Sequence, residues 1–138
     1  MLTPQRPPRR AAATVELAAL LPFLCFAFVV TVDFCRIFYF SLTVANCARN
    51  GALYGSADTQ HALDTSGINT ASRSDAGNLD STLLGVVSST DSTTNPSYVD
   101  VTVSYSFSTI TKYPGVPSQM TIQRPVRMRV VPATPNFQ

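Results

Sequence analysis

Side chains that could do chemistry are few in this sequence. The one histidine, His61, stands in a polar stretch, where a solvated surface residue is the simplest interpretation. The aspartates between residues 58 and 91 are scattered and lack the spacing of a calcium-binding loop. The sequence also has no nucleophile elbow, phosphate loop, dinucleotide fingerprint or paired histidine ligands. These observations predict a protein that is not an enzyme, with no cofactor, metal or small-molecule substrate.

Three cysteines, Cys25, Cys35 and Cys47, are 10 and 12 residues apart and form no CxxC pair. That spacing, without a nearby histidine, argues against a metal site. Cys25 and Cys35 are about 15 Å apart along a helix, so they cannot form a disulfide within it. Two interpretations stay open: small apolar helix residues, or a disulfide from Cys47 to another chain.

One carboxylate stands where a charge is costly. Glu16 begins a long apolar run in "RRAAATVELAALLP", residues 9–22. From Leu17 to Val32 that run holds no ionisable residue except Cys25. A charge at the centre of a bilayer costs roughly 2.5–3.5 kcal/mol, and less near the edge. Glu16 therefore either lies at the interface with no special role or has a partner that offsets this cost.

A long helix must position these residues. From Ala12 to Gly55 the strong breakers are Pro22 and Gly51, and Pro22 is predicted to kink the helix, which membrane helices tolerate. Such a helix measures about 65 Å, roughly twice the ~30 Å hydrocarbon core. It is therefore predicted to cross the bilayer and project beyond it.

Charges around the apolar run predict its orientation. Arg6, Arg9 and Arg10 precede the run with no acidic residue among them. The positive-inside rule then gives a single-pass protein of the cell membrane, with a cytoplasmic N-terminus and an extracytoplasmic C-terminal part. Asp33 and Arg36 are predicted to pair at the outer membrane interface. The net charge of +2 is too small to suggest a nucleic-acid partner.

The C-terminal part is predicted to hold a small β-structured head. In "YVDVTVSYSFSTI" apolar residues alternate with polar ones, and in "SQMTIQRPVRMRVV" the even positions are apolar except at Arg124. Residues 98–111 and 118–131 are thus predicted to form an antiparallel hairpin. Pro125 marks an edge or a bulge, and Pro114–Gly115 suits a type II turn. The arginines at 124, 127 and 129 lie either on solvated strand faces or on a surface for an anion or partner.

Four segments follow from these patterns. They are a basic leader at 1–11, a transmembrane and projecting helix at 12–57, an intermediate region at 58–97 and the hairpin head at 98–138. The intermediate region is predicted as a polar loop to residue 70, a short helix from about Ile68 to Val87, and a Ser/Thr-rich linker over 88–97.

This layout resembles type IV pilin-like proteins. "RRAAATVELAALLP" followed by "VDFCRIFYFSLTVANCARNGALYG" resembles the TadE-like family of tight-adherence (Flp) pilus systems, and "RPVRMRVV" is similar to the last strand of that family. The resemblance implies an α+β fold with a long N-terminal helix, a shorter second helix and a small antiparallel sheet. It also implies a minor pseudopilin that acts in Flp pilus assembly as a structural protein.

The resemblance further implies processing by a prepilin peptidase. Ala11 would precede the cut, Ala12 would become the N-terminus, and Glu16 would be its fifth residue, although members usually have glycine where Ala11 stands. In a pilin-like assembly a buried Glu16 meets the α-ammonium of a neighbouring subunit, which offsets the cost of its charge. The implied partners are membrane lipid, the peptidase, other pseudopilins and pilus assembly proteins.

An alternative is a secreted or signal-anchored small extracytoplasmic protein unrelated to pili, with the apolar run as a signal peptide. Against it, the apolar character continues past residue 40 and no A-x-A site follows promptly.

Overall fold

A computed structural model of the protein describes residues 9–93, 97–110 and 117–132. Three helices precede three strands along the chain. They are α1 (Arg9–Ser56), α2 (Thr59–Leu63), α3 (Thr65–Arg73), β1 (Leu84–Asp91), β2 (Tyr98–Ser108) and β3 (Gln119–Arg129). The predicted α+β class, with a long N-terminal helix and a small antiparallel sheet, is confirmed.

Helix α1 has 48 residues and is therefore about 72 Å long. Its first part, residues 12–32, has no buried residue, and we call it the span segment. Its second part, residues 33–56, packs one face against the sheet and α3. We call this second part, together with the described residues that follow it, the head.

Two glycines in α1 allow close packing in the head. A Cβ atom at Gly51 would lie 2.0 Å from Ser72 Oγ of α3, and one at Gly55 would lie 3.0 Å from Val99 of β2. Gly51, one of the two strong breakers in this part of the sequence, does not end the helix, because α1 continues through it to Ser56. Small residues at these positions let α3 and β2 approach the helix backbone.

The sheet has the order β1-β2-β3 and is antiparallel throughout. The odd residues of β2 from Val99 to Phe107 are buried against the helices. Each pairs with an even residue of β3, for example Val101 with Val126 and Tyr105 with Ile122. The predicted hairpin and its alternation are confirmed, and the predicted turn at 114–115 lies outside the described residues.

Pro125 lies in an edge strand, as predicted. The Thr109 amide donates to Ser118 O, and the Val130 amide donates to Ser97 O. In an antiparallel pair every second residue bonds to the partner strand, so these two bonds mean that the even residues of β3 bond to β2. The backbone groups of the odd residues of β3 point away from β2. The nitrogen of Pro125, which carries no hydrogen, therefore faces the free edge and removes no bond to β2.

The prediction for residues 58–97 is wrong in its elements. No single helix runs from Ile68 to Val87, because α3 ends at Arg73 and β1 begins at Leu84. The predicted loop before residue 70 contains α2 and most of α3, and the predicted linker begins inside β1. The reason is tertiary pairing: Val86 lies opposite Val103 and Ser88 opposite Val101, so a polar strand completes the sheet.

Candidate functional site: the span segment and its junction with the head

The span segment is apolar and exposed on all sides. Among the described residues, one helix is long and apolar enough to cross a membrane, with a mean hydropathy of 2.4 in its most apolar window. Eight of its large side chains are 41–70% exposed: Val15, Leu17, Leu20, Leu21, Phe23, Leu24, Phe26 and Phe28. Thr31 donates its hydroxyl to Ala27 O at 2.8 Å, so this polar group is satisfied within the helix.

The three residues of the implied processing site lie at the start of α1. Ala12 and Glu16 are one helical turn apart, and both side chains are exposed. Pro22 lies inside α1, and the helix continues through it. Cleavage after Ala11, the role of Glu16 and a kink at Pro22 all stay predictions.

The junction with the head is built on Asp33, which is only 5% exposed. Its Oδ1 accepts a hydrogen bond from the Ile110 amide at 3.1 Å and lies 3.4 Å from Arg36 Nη1. The predicted Asp33–Arg36 pair is thus present in the structure, while its place at a membrane interface stays a prediction. What sequence reasoning missed is Ile110, whose main-chain donor leaves no signal in a side-chain pattern.

Aromatic rings shield the Arg36 side of this junction. The Arg36 guanidinium carbon lies 5.8 Å from the ring centre of Phe40 and 5.9 Å from that of Phe107. Phe40 in turn lies 5.4 Å from Tyr105 and 5.7 Å from Phe107, centre to centre. A cation at this distance from a ring face is attracted to it. The junction therefore joins α1 to the end of β2 through one carboxylate and three rings.

The other end of the head is also joined to α1. The Val131 amide donates to Ser56 O at 3.0 Å, beside the bond from Val130 to Ser97. Asp33 and Ser56 are 23 residues apart, or about 35 Å along the helix. The strands therefore lie along the second half of α1, with Ile110 at the end that adjoins the span segment. We call this the lower end of the sheet.

His61 belongs to a capping arrangement. Asp58 caps α2 by accepting from the His61 amide, and its other oxygen lies 2.7 Å from His61 Nδ1. Asp64 caps α3 by accepting from the Gly67 amide and also accepts from the Tyr54 hydroxyl at 2.9 Å. The backbone hydrogen bonds at these caps lower the pKa of both carboxyl groups. Both aspartates thus act as helix caps.

Two arginines of β3 have partners within the protein. Arg127 binds Asp100 with two hydrogen bonds of 2.7 Å and lies over the Tyr98 ring, and the hydrogen bond from Arg127 lowers the pKa of Asp100. Arg124 donates to Ser41 Oγ of α1. These contacts favour an intramolecular role for Arg124 and Arg127 over an anion-binding surface.

The cysteines divide into two environments. Cys25 and Cys35 are exposed on α1, whereas Cys47 is fully buried between α1 and the rest of the head. A disulfide from Cys47 to another chain would require the head to open, which argues against that interpretation. Among the residues that the structure describes, no group of three or more His, Cys, Asp or Glu side chains could hold a metal ion.

One protein-family model matches most of helix α1. Residues 11–53 match the family model described as TadE-like protein. No curated protein and no solved structure matches the chain. The match begins at Ala11, covers the span segment and the Asp33–Arg36 pair, and ends three residues before α1 does. The resemblance of this sequence to the TadE-like family is therefore confirmed over residues 11–53.

Proposed function

We propose that the protein is a membrane-anchored minor pseudopilin that acts in the assembly of a tight-adherence (Flp-type) pilus, with a structural rather than a catalytic role. The TadE-like match supports a protein associated with such a pilus and its assembly components. The observation that carries the proposal is the division of α1. Residues 12–32 expose apolar side chains all round, and residues 33–56 bury one face against the sheet.

The orientation belongs to the same proposal. The three arginines before the apolar run keep the N-terminus in the cytoplasm, and the head is exported. A prepilin peptidase on the cytoplasmic side removes residues 1–11, which leaves an ammonium group on Ala12. Glu16 then meets the ammonium of a neighbouring subunit as the helix enters an assembly.

Removing the gene tests this function directly. We expect the deletion strain to lose its surface pili and the intact gene to restore them. In cells that carry the gene, we expect the protein to stay in the membrane fraction after alkaline carbonate washing. Mass spectrometry of the membrane-purified protein should give Ala12 as the first residue.

Two outcomes would contradict the proposal. Normal pili in the deletion strain would exclude a role in assembly. A soluble extracytoplasmic protein that has lost the apolar N-terminal run would instead support the secreted alternative. A membrane protein that starts at Met1, in cells with an active peptidase, would refute only the processing step.

A further inference from the structure

We propose that the lower end of the sheet rests on the outer leaflet, so that the head makes a second contact with lipid besides the helix. This inference depends on the proposed membrane span. It concerns the surface around Ile110, a residue that lies outside the TadE-like match.

The first step is the level of Ile110 along α1. Its amide lies 3.1 Å from Asp33 Oδ1, so the lower end of the sheet is at the height of Asp33. The neighbouring bond from the Thr109 amide to Ser118 O holds β2 and the chain before β3 together at this height. Because Asp33 is the first residue after the span segment, the sheet begins where the span segment ends.

The second step is the thickness of the bilayer. A hydrocarbon core of about 30 Å accommodates about 20 helical residues. If the core begins at Ala12, its outer boundary falls near Val32. If it begins at Leu17, the boundary falls near Ile37, about 6 Å beyond Asp33. Helix tilt shortens the rise along the membrane normal and moves Asp33 deeper. Ile110 is therefore at the outer boundary or slightly inside it.

The third step is the chemistry of the surface at this height. Ile110 is 57% exposed, and Phe34 of α1 is 68% exposed. Phe38 is 67% exposed one turn higher, and Met120 at the start of β3 is 36% exposed. Arg36 is partly exposed at a similar height, on the face of α1 that meets Asp33, Phe40 and Phe107. Apolar side chains at the same height as a cation match the boundary between acyl chains and lipid phosphates.

The hydrogen bond from the Ile110 amide also explains how Asp33 can be buried at this height. A carboxylate at a hydrocarbon boundary needs partners, and Asp33 has the Ile110 amide and Arg36. The same bond that satisfies Asp33 holds the sheet down at the boundary. Lipid is chosen as the occupant of this surface because the surface continues directly from the exposed apolar side chains of the span segment.

Depth-dependent quenching in vesicles tests the proposal. The full-length protein, with Cys25 and Cys35 replaced by alanine and the buried Cys47 retained, is labelled with a small environment-sensitive fluorophore at Ile110→Cys. It is placed in vesicles of three parts phosphatidylethanolamine and one part phosphatidylglycerol that carry nitroxide lipids. Two matched controls are Phe23→Cys in the span segment and Leu63→Cys, 72% exposed, on α2 near the far end of the head.

We expect the Ile110 probe to be quenched at least twofold more by nitroxides near the headgroups than by nitroxides near the acyl-chain ends. The Phe23 probe should show the reverse preference, and the Leu63 probe should be quenched by neither. A quenched Phe23 probe with an Ile110 probe as unquenched as Leu63 would refute the lipid contact and leave the membrane span intact. An unquenched Phe23 probe would refute the span and the contact together. An Ile110 probe shielded only at high protein-to-lipid ratio, without quenching, would place a second copy on this surface and refute the proposal.

Discussion

Replacing Val101 by aspartate tests the interior of the head. Val101 is fully buried in the central strand, and its cross-strand neighbours Ser88 and Val126 carry no positive charge. Losing a buried valine costs about 1.5–3 kcal/mol, and an unpaired buried charge costs roughly 3–5 kcal/mol more before relaxation. We therefore expect Val101→Asp to lower the free energy of unfolding by about 4 kcal/mol or more. That is a large fraction of the roughly 5–15 kcal/mol typical of a domain.

The matched control is Ser104→Asp in the same strand. Ser104 lies on the opposite face of the sheet, between Gly85 and Gln123, and is only partly buried. A charge there keeps its hydration, so we expect a change within about 1 kcal/mol.

Pulse proteolysis of the full chain in detergent micelles, across a urea series, measures both variants. With a slope of about 2 kcal/mol per molar urea, the Val101→Asp midpoint should fall by about 2 M, and the Ser104→Asp midpoint should fall by less than about 0.5 M. Equal midpoints for the two variants would mean that the buried face of β2 has been assigned wrongly.

Three further predictions concern topology, assembly and pH. Reporter enzymes fused after residue 60 should be active only if they require export, and activity of a cytoplasmic reporter there would reverse the orientation. Glu16→Gln should leave membrane insertion intact or improve it and yet reduce pilus number, because the partner for an ammonium group is lost; normal piliation would leave Glu16 without that role. The pKa of Asp100 is lowered by Arg127, so this pair stabilises the head above the unfolded pKa of about 3.9 and loses that effect as the pH falls through the folded pKa. The urea midpoint should therefore drop less between pH 7 and pH 3 in Arg127→Met than in the native protein, and an unchanged drop would count against the pair.

The sequence predicts α1 from its long apolar run and the β2–β3 hairpin from the alternation of apolar and polar residues. Every inward position of β2 from Val99 to Phe107 is apolar, so its burial can be predicted without knowing its neighbours. The inward positions of β1 after Val86 are Ser88 and Thr90. A strand with so few apolar residues forms because it pairs with the free edge of β2. This pairing cannot be predicted from the residues of β1 alone.

The missed helices had a local signal. Asp58 and Asp64 each stand directly before a threonine that begins a short helix, and each aspartate caps that helix. Aspartate is a favoured N-cap residue, so both helix starts were open to prediction from the sequence. The hydrogen bond from the Ile110 amide to Asp33 could not be predicted, because the two residues are 77 positions apart and the donor is a main-chain group.

Pro125 has a consequence for copies of the protein that share a membrane. Under the proposed anchoring by α1, all copies would have one orientation, and β1 and β3 both run in the same direction as α1. Joining the β1 edge of one copy to the β3 edge of the next would therefore require parallel pairing, with a donor from each outward-facing residue of β3. Near the middle of that edge Pro125 has no donor, so the ladder is broken there. In the proposed membrane-bound state, heads that crowd together would therefore not join through alternating β1 and β3 edges into a continuous sheet.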